Sequence, residues 1–374
     1  MPAYRPRFVP FSRRHFLQGG AAVGVSLMAG GTAAWGAETG LNIYNWDTYI
    51  GETTLDSFAK KTGIKPRYDL FADNEELYAK LKSGNPGYDL IFPSDYMVEL
   101  MISTGVIVPL DHGRIPNLTN LNENFTDSSF DPNMKHSVPY MWGTQGFGYR
   151  MSKYPNAPTS WSAVFDDAAI GKHSGKIAML SDNRAVIGGA LKYLGHSLNT
   201  VDPKEITAAA DLILSAKKHY KTFAEDNGQD LLLSREVDLT MEWNGDVVQV
   251  MAEDEDLSYL VPAEGAVVWM DNMCVPKDAP NPQNAHAFIN HVLDAEVGAE
   301  IANTIHYASP NAAAKPLLLT DDLSNPAVYP PDSVIARCEA VIDVGDAARL
   351  SPRTLACVDP QAFWAACLRI DDFV

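Results

Sequence analysis

Strand and helix signals alternate along most of this chain of 374 residues. Short apolar runs that are typical of buried strands alternate with segments whose apolar residues recur on one helical face. This alternation predicts α/β domains with mostly parallel sheets, in which ligands bind in a crevice beyond the carboxyl ends of the strands. The predicted strands are 41–45, 65–71, 88–93, 175–180, 237–243 and 266–276, and the predicted helices are 51–63, 74–82, 184–195, 204–220, 284–303 and 331–341.

The first 36 residues have the composition of an export signal. They contain four arginines and no acid, and residues 19–34 form a Gly/Ala-rich apolar run. That run is short and interrupted by glycines, so it predicts a secretory signal and not a spanning helix. "SRRHFL" (12–17) resembles a twin-arginine export motif, with an ordinary Sec signal as the alternative. We therefore predict a twin-arginine signal peptide over 1–36, cleaved after Gly36, and a periplasmic protein without a lipid anchor, because no cysteine follows the cleavage region.

The remaining chain is acidic and long enough for two domains. The net charge is −18, and removal of the four leader arginines makes it −22. Such a field disfavours nucleic acid and anionic membranes and weakly attracts cations. No second apolar stretch reaches spanning length, so we expect no direct membrane insertion. No low-complexity linker separates two halves, which favours several short crossovers between the two expected domains.

Four cysteines in an oxidising compartment can form bridges. Cys338, Cys357 and Cys367 lie close together near the carboxyl end, so we expect a disulfide among them, with its pairing left open. Cys274, in "DNMCVP", is expected to be a small buried apolar residue on a strand.

Aromatic and acidic residues recur at the ends of the predicted strands. Taken alone, each one is more often a core residue, a helix cap or part of a turn. Their recurrence at one topological position predicts a shared site. The candidate residues are Trp46, Asp47 and Tyr49 after the first strand; Ser94, Asp95 and Tyr96 after "YDLIFP"; Asp182 after "GKIAML"; Trp243 and Asp246 after "VDLTME"; Trp269 and Asp271 at a strand junction; and Tyr307 after a helix.

These residue types suit an organic cation. A flexible alkyl chain with primary ammonium groups needs carboxylates for its charges and flat aromatic walls along its methylenes. An ammonium over an aromatic ring gains about 0.5–2 kcal/mol, depending on desolvation. Charge-assisted hydrogen bonds to carboxylates add to this, and tyrosine hydroxyls can accept from the remaining N–H groups.

The combined motifs resemble a known family, the periplasmic polyamine-binding proteins, which are the spermidine/putrescine receptors of ABC importers. The resemblance runs over about residues 40–345 and implies a two-lobed, hinged periplasmic-binding-protein fold of type II. It implies one lobe of 38–146 plus 271–318 and a second of 147–270 plus 319–374, a membrane permease as partner, and a monomer. The motifs are "YNWDTYI", "TGIK", "YAKLKSGNPGYDLIFPSDYMV", "VPYMWGTQGFGY", "SWSAVF", "MEWNGD", "EGAVVWMDNMCVP" and "IHYASPNAAA".

The resemblance also implies roles for individual residues. Trp46 and Tyr49 would form the aromatic wall of the first lobe, and Trp243 would form the opposing wall. Trp269 and Asp271 would lie at a crossover between lobes, with Asp271 binding an amine. The remaining positions that match the family motifs are Ser94, Tyr96, Asp182 and Tyr307.

Several positions bear on the choice of amine. Asp246 matches the putrescine-type "GD" pattern. The chain has Ala185 where the family usually has a glutamate, and Val341 where spermidine receptors have a glutamine. Asp47 and Asp95 are candidates for supplying, at other positions, the negative charge of the missing glutamate. The resemblance thus favours putrescine or another short amine over spermidine.

Sequence motifs of enzymes are absent. The chain has no Gly-rich phosphate loop, no G-x-S-x-G and no H-E-x-x-H. "DNEE" (73–76) lacks the spacing of a calcium loop and is better explained as a helix start capped by Asn74. We expect no catalytic residues, no metal and no cofactor. The alternatives are a receptor of the same fold for another cationic amine or a metal ion such as ferric iron, and a periplasmic amine-processing enzyme.

Overall fold

The computed structural model describes residues 40–224 and 227–344. The predicted signal peptide, Cys357, Cys367 and the end of the second predicted lobe lie outside these residues, as does the pairing of the predicted disulfide. The strands are β1 Gly40–Asn45, β2 Lys65–Leu70, β3 Leu90–Ile91, β4 Ser137–Arg150, β5 Ile177–Leu180, β6 Tyr220–Ala224, β7 Leu239–Trp243, β8 Leu257–Leu260 and β9 Val268–Cys274. The α-helices are α1 Thr54–Thr62, α2 Asn74–Lys82, α3 Asp95–Ser103, α4 Ser162–Phe165, α5 Asp167–Ile170, α6 Asn183–Tyr193, α7 Pro203–Ala216, α8 Gly228–Leu233, α9 Asn244–Met251, α10 Pro282–Val292, α11 Ala295–Ile305, α12 Thr320–Ser324 and α13 Asp332–Ile335.

Local capping explains where several of these helices begin and end. Gly63 ends α1 in a left-handed conformation (φ 76°), and its N–H donates to the Ala59 carbonyl, as the sequence predicts. Helix α2 has the predicted bounds, Asn74–Lys82, but its cap differs by one residue from the prediction. Asp73, and not Asn74, is the cap, because its carboxylate accepts from the Glu76 N–H at 2.6 Å.

Two predicted helices at the carboxyl end are shorter than expected. The segment 284–303 was predicted as one helix, but α10 ends at Val292 and α11 begins at Ala295. The break occurs because Asp294 caps the new helix by accepting from the Glu296 N–H. In the segment 331–341 only α13 is helical. The residues after it run beside β9, where the Val268 N–H donates to the Glu339 carbonyl.

The sheet combines parallel and antiparallel pairs in the strand order β2-β1-β3-β9-β4-β7-β5-β6, with β8 paired to β4. The outer parts, β2-β1-β3 and β7-β5-β6, are parallel and come from the strand–helix alternation. The central strands β9 and β4 pair antiparallel with each other and with β3 and β7. The α/β architecture is confirmed, whereas the expectation of mostly parallel sheets describes only the outer parts.

Apolar side chains form two main cores that contain successive parts of β4. The first includes Ile43 of β1 and Phe288 of α10, and the second includes Met179 of β5 and Leu239 of β7. Strand β4 contributes to both, with Val138 and Met141 in the first and Phe147 and Tyr149 in the second. Cys274 is fully buried on β9, as predicted. Within the described ranges, no helix has the length and hydropathy needed to cross a membrane.

Candidate functional site

A cavity of about 520 Å³ opens beside the carboxyl ends of β1, β3, β5 and β7. Residues that are far apart in the sequence contribute to its wall, in agreement with the expected position of a ligand site in an α/β sheet. Whether these residues bind a ligand remains a prediction. All twelve residues predicted from the sequence line this cavity: Trp46, Asp47, Tyr49, Ser94, Asp95, Tyr96, Asp182, Trp243, Asp246, Trp269, Asp271 and Tyr307.

The stretch "YNWDTYI" lies partly on the cavity wall and partly in the core. Trp46 is half-buried, and its indole N–H donates to the Phe92 carbonyl at 2.9 Å. Its ring packs on Phe71 at 4.4 Å between centroids. Asp47 is exposed, whereas Tyr49 is 4% exposed and belongs to the first core. The indole N–H of Trp46 is therefore fixed by a hydrogen bond, and the residue also lines the cavity. Tyr49 lines the cavity and packs in the first core.

Aromatic rings form a continuous series along one side of the cavity. Trp243 and Trp269 are 6.0 Å apart, and Trp269 and Tyr307 are 5.1 Å apart. Tyr307 in turn lies 5.3 Å from Tyr49. All three pairs are edge-to-face, a favoured geometry that fixes each ring by its neighbour.

The segment "WNGD" positions several of these groups at the start of α9. A Cβ on Gly245 would lie 2.5 Å from the Tyr307 ring, so only glycine allows this close approach. The Tyr307 hydroxyl donates to Asp246 at 2.8 Å. Asn244 accepts from the Thr144 N–H at 2.9 Å and so ties the segment to β4. The motif thus places an aromatic wall, Trp243, and a carboxylate next to each other.

Asp271 lies on β9 and is held by a short chain of hydrogen bonds. The Ser94 hydroxyl donates to its carboxylate at 2.7 Å, and the Asn74 amide donates to the Ser94 hydroxyl at 3.0 Å. Asp271 is 6% exposed. Burial, together with the nearby Asp271 charge, raises the pKa of the Tyr49 hydroxyl well above its usual value. Asp271 is therefore an oriented, largely buried carboxylate that can pair with an ammonium group through charge-assisted hydrogen bonds.

Asp95 is a weaker source of charge than the sequence suggests. It is 5% exposed, and burial, with a further contribution from Asp271, raises its pKa to about 8. At neutral pH its carboxyl is therefore largely protonated and acts as a hydrogen-bonding group. This weighs against Asp95 as the replacement for a lost negative charge.

Sequence analysis missed Glu75, which lines the same cavity. It was assigned only to the start of a helix, and indeed it lies in the first turn of α2. Its carboxyl opens into the cavity, yet the surrounding protein, Asp182 and Asp73 raise its pKa to about 7. Asp182 caps α6 by accepting from the Ala185 N–H at 2.8 Å, and burial raises its pKa also. Two helix starts from distant parts of the chain thus bring like charges together.

The two positions that depart from the spermidine pattern also line the cavity. Ala185 and Val341 are buried and supply apolar surface. Among the described residues, no group of three or more His, Cys, Asp or Glu side chains is arranged to hold a metal ion.

Comparisons with known proteins agree with this fold. The family model for bacterial extracellular solute-binding proteins matches residues 53–330. The spermidine/putrescine-binding periplasmic protein of Salmonella typhimurium is 36% identical over 340 residues, covering 90% of this chain and 95% of that protein. The chain belongs to the family of bacterial extracellular solute-binding proteins.

Two further relatives support this assignment. The putrescine-binding periplasmic protein SpuD of Pseudomonas aeruginosa is 35% identical, covering 79% of this chain and 85% of that protein. A solved structure described as a putative spermidine/putrescine ABC transporter from Listeria monocytogenes superposes with a TM-score of 0.80 at 32% identity, covering 88% of this chain and 99% of that chain. The fold is that of periplasmic binding proteins, and the chain is a solute-binding receptor and not an enzyme.

Proposed function

We propose that this protein is the periplasmic receptor of an ABC importer and that it captures a short polyamine such as putrescine in its cavity. The observation that carries the proposal is the combination of edge-to-face aromatic rings with the buried, oriented Asp271 carboxylate on one cavity wall. An alkyl diamine needs both features, because its methylenes pack on rings while its ammonium groups must be paired on leaving water. The names of the relatives support the same ligand class.

The choice of a diamine over spermidine rests on the wall composition. Asp246 is held by Tyr307, while Ala185 and Val341 give apolar surface at two positions. A diamine has two ammonium groups that need acidic partners, whereas a triamine such as spermidine has three.

Calorimetric titration of the mature protein tests the ligand class. We expect putrescine to bind more tightly than spermidine, and glucose, succinate and ferric ion to give no heat. Thermal melts should rise with putrescine, because a ligand at about a hundredfold excess over Kd adds about 2.7 kcal/mol of stability. If every amine is silent in both measurements, the proposal is wrong; oxidation or release of ammonia from putrescine would indicate an enzyme.

We also propose that residues 38–146 with 271–318 form one lobe, that residues 147–270 with 319–374 form the other, and that the lobes close around the ligand by a hinge. The two cores, one containing the first part of β4 and the other its second part, support this division. Small-angle scattering should show a smaller radius of gyration at saturating putrescine. An unchanged radius at proven saturation would contradict closure.

Residues 1–36 are proposed as a twin-arginine signal, which would deliver a folded monomer to the periplasm. Replacing Arg13 and Arg14 by lysine should then abolish export, whereas an ordinary Sec signal should tolerate the change. The proposed partner is a membrane permease, and the test is uptake of labelled putrescine by cells that lack or contain the receptor.

A further inference from the structure

Arg184 adds a positive charge to a cavity wall whose charged residues are mostly acids. It lies in the first turn of α6, two residues after Asp182, where it is half-buried and lines the cavity. Burial raises the pKa values of Glu75 and Asp182, and the charge of Arg184 counteracts this at both groups, so it lies close enough to act on them. A cation is therefore part of the same wall as the acids that suit an amine.

The protein uses only part of the Arg184 guanidinium. Its Nη2 donates to Oδ1 of Asn199 at 3.2 Å and to the Ile342 carbonyl at 3.3 Å, and both acceptors are neutral. Among the described residues, the side chain of Arg184 has no other hydrogen bond and no ion pair, and its Nη1 and Nε are not buried. A guanidinium carries N–H donors on all three nitrogens, so those on Nη1 and Nε are available to a bound molecule.

Elsewhere this chain neutralises a guanidinium with its own carboxylates. The guanidinium of Arg150 donates to Asp254 at 2.8 Å and to Asp256 at 3.2 Å. Arg184 has no such counter-ion within the described part of the chain. Because like charges repel, an unpaired guanidinium disfavours a ligand that carries only ammonium groups. The two hydrogen bonds to neutral acceptors account for the position of Arg184 but leave its charge unexplained.

A carboxylate on the ligand supplies the missing counter-ion. Its two oxygens match the guanidinium fork and accept charge-assisted hydrogen bonds. Asp182 and Glu75 lie near Arg184 and suit an ammonium group, so an ammonium and a carboxylate on one carbon fit this part of the wall together. A second ammonium of the same ligand can pair with Asp271. The cavity of about 520 Å³ lies within the range of about 300–1,000 Å³ that is usual for ligand pockets, so it has room for the added group.

We propose that Arg184 binds a carboxylate of the ligand and that the cavity takes a diamino acid, which is a short diamine with a carboxylate next to one of its amines. Ornithine is the matching example, because it is putrescine with one added carboxylate. This inference rests on the proposed function, since it specifies the ligands that the same cavity accepts. It makes Arg184 a specificity-determining residue.

Calorimetric titration of the mature protein with two matched ligands tests the inference. One is ornithine, and the other is ornithinol, in which a hydroxymethyl group replaces the carboxylate while both ammonium groups remain. The acids of the wall alone favour ornithinol, because it carries the larger positive charge. Pairing with Arg184 reverses this order, and ornithine should bind about tenfold more tightly, as expected for a hydrogen bond between charged groups.

Arg184→Met removes the charge and the N–H donors but keeps an unbranched side chain. The order of the two ligands should then reverse, with ornithinol bound more tightly than ornithine, and putrescine should bind at least as tightly as it does to the wild type. Arg337→Met is the matched control, because Arg337 is exposed, donates to the Ser333 carbonyl at 2.6 Å and does not line the cavity. This variant should keep the preference for ornithine, and thermal melts should establish that both variants fold.

Two results would overturn the inference and leave the proposed function intact. One is a wild-type protein that binds putrescine but binds ornithine no more tightly than ornithinol. This comparison needs no variant, so it decides the point even if Arg184→Met does not fold. The other is a folded Arg184→Met protein that still prefers ornithine. Failure of putrescine, ornithine and ornithinol alike to bind would instead overturn the proposed function.

Discussion

Two groups of carboxylates on the cavity wall are held in different ways. The Asp271 group consists of Asp271 and Asp246 with their partners Ser94 and Tyr307, and each carboxylate accepts a side-chain hydroxyl at 2.7–2.8 Å. The Glu75 group consists of Glu75, Asp73, Asp182 and Arg184. Burial, Asp182 and Asp73 raise the pKa of Glu75, and burial, with Asp73, raises the pKa of Asp182. The first group is oriented by hydrogen bonds and the core, and in the second burial and like charge disfavour ionisation.

This difference indicates which part of the receptor already has its binding geometry before the ligand binds. In the Asp271 group the geometry is set by interlocked rings and a glycine, so binding requires little reorganisation there. In the Glu75 group an arriving ammonium would relieve repulsion between acids, and the gain depends on their protonation. We therefore expect the Asp271 group to supply affinity and the Glu75 group to supply dependence on pH.

The largest expected effect is from Asp271→Asn. The variant removes one partner of a desolvated ion pair, which typically costs about 2–5 kcal/mol of binding free energy. Affinity for putrescine should thus fall by about 30-fold or more. Calorimetric titration measures this, and Asp321→Asn, at an exposed position away from the cavity, is the control. If the affinities of the two variants are equal, Asp271 is not the main charge partner.

Much of this cavity could be predicted from sequence because its residues follow strand ends. Nine of the twelve candidates follow predicted strands, whereas Trp269 and Asp271 lie at a strand junction and Tyr307 follows a helix, and the structure brings all twelve to one cavity. Sequence analysis missed Glu75 because helix capping alone already explains an acid in the first turn of a helix. Only the folded chain shows that this start faces Asp182, which is more than a hundred residues away in the sequence.

The sequence predicts the fold least well where the apolar residues follow neither a strand-like nor a helical pattern. Strand β4 has buried residues at nearly every position, and its glycines and Pro139 weaken the strand signal. Its pairing with β7 and β9 depends on contacts between residues far apart in the sequence, which the alternation of strand and helix signals does not reveal. Consequently, the antiparallel centre of the sheet had to come from the structure.

Gly245→Ala tests whether the Asp271 group depends on close packing. The added Cβ would meet the Tyr307 ring at 2.5 Å, and overpacking of this kind costs about 1–3 kcal/mol of stability. Displacing Tyr307 should also loosen Asp246 and weaken putrescine binding. Gly171→Ala is the control, because the atom nearest to its new Cβ is 3.9 Å away. Unchanged melting and affinity in Gly245→Ala would show that this group is adaptable.

Trp46→Ala tests the wall that "YNWDTYI" supplies. Loss of apolar area and of a cation–π contact should cost about 1–3 kcal/mol of binding free energy, with a smaller effect on stability. Trp161→Ala is the matched control, because Trp161 is fully buried away from the cavity. That change should cost about 3–5 kcal/mol of stability. A Trp46→Ala protein that melts as low as the control and binds putrescine normally would place Trp46 in the core.

The smallest expected effect is a pH dependence of putrescine affinity, which distinguishes the Glu75 group from the Asp271 group. With a pKa of about 7, Glu75 binds a proton in the free receptor at pH 6 and releases most of it by pH 8. Burial, Asp182 and Asp73 disfavour the ionised form, and Arg184 favours it. An ammonium ligand binds the ionised form better, so putrescine affinity should rise about tenfold at most between pH 6 and pH 8.

Stability of the free receptor should move in the opposite direction. The folded state holds the Glu75 proton above pH 4.5, the value at which an unperturbed glutamate loses it. Between that pH and about 7 the folded state binds more protons than the unfolded state, so this group's contribution to stability falls as the pH rises. Glu75→Gln should remove the Glu75 contribution to both trends, leaving the part that Asp95 supplies near its pKa of about 8, and should leave the response to Asp271→Asn intact. Titrations and melts across this range decide the point: if wild type and Glu75→Gln share one pH profile for affinity, the Glu75 group has no part in binding.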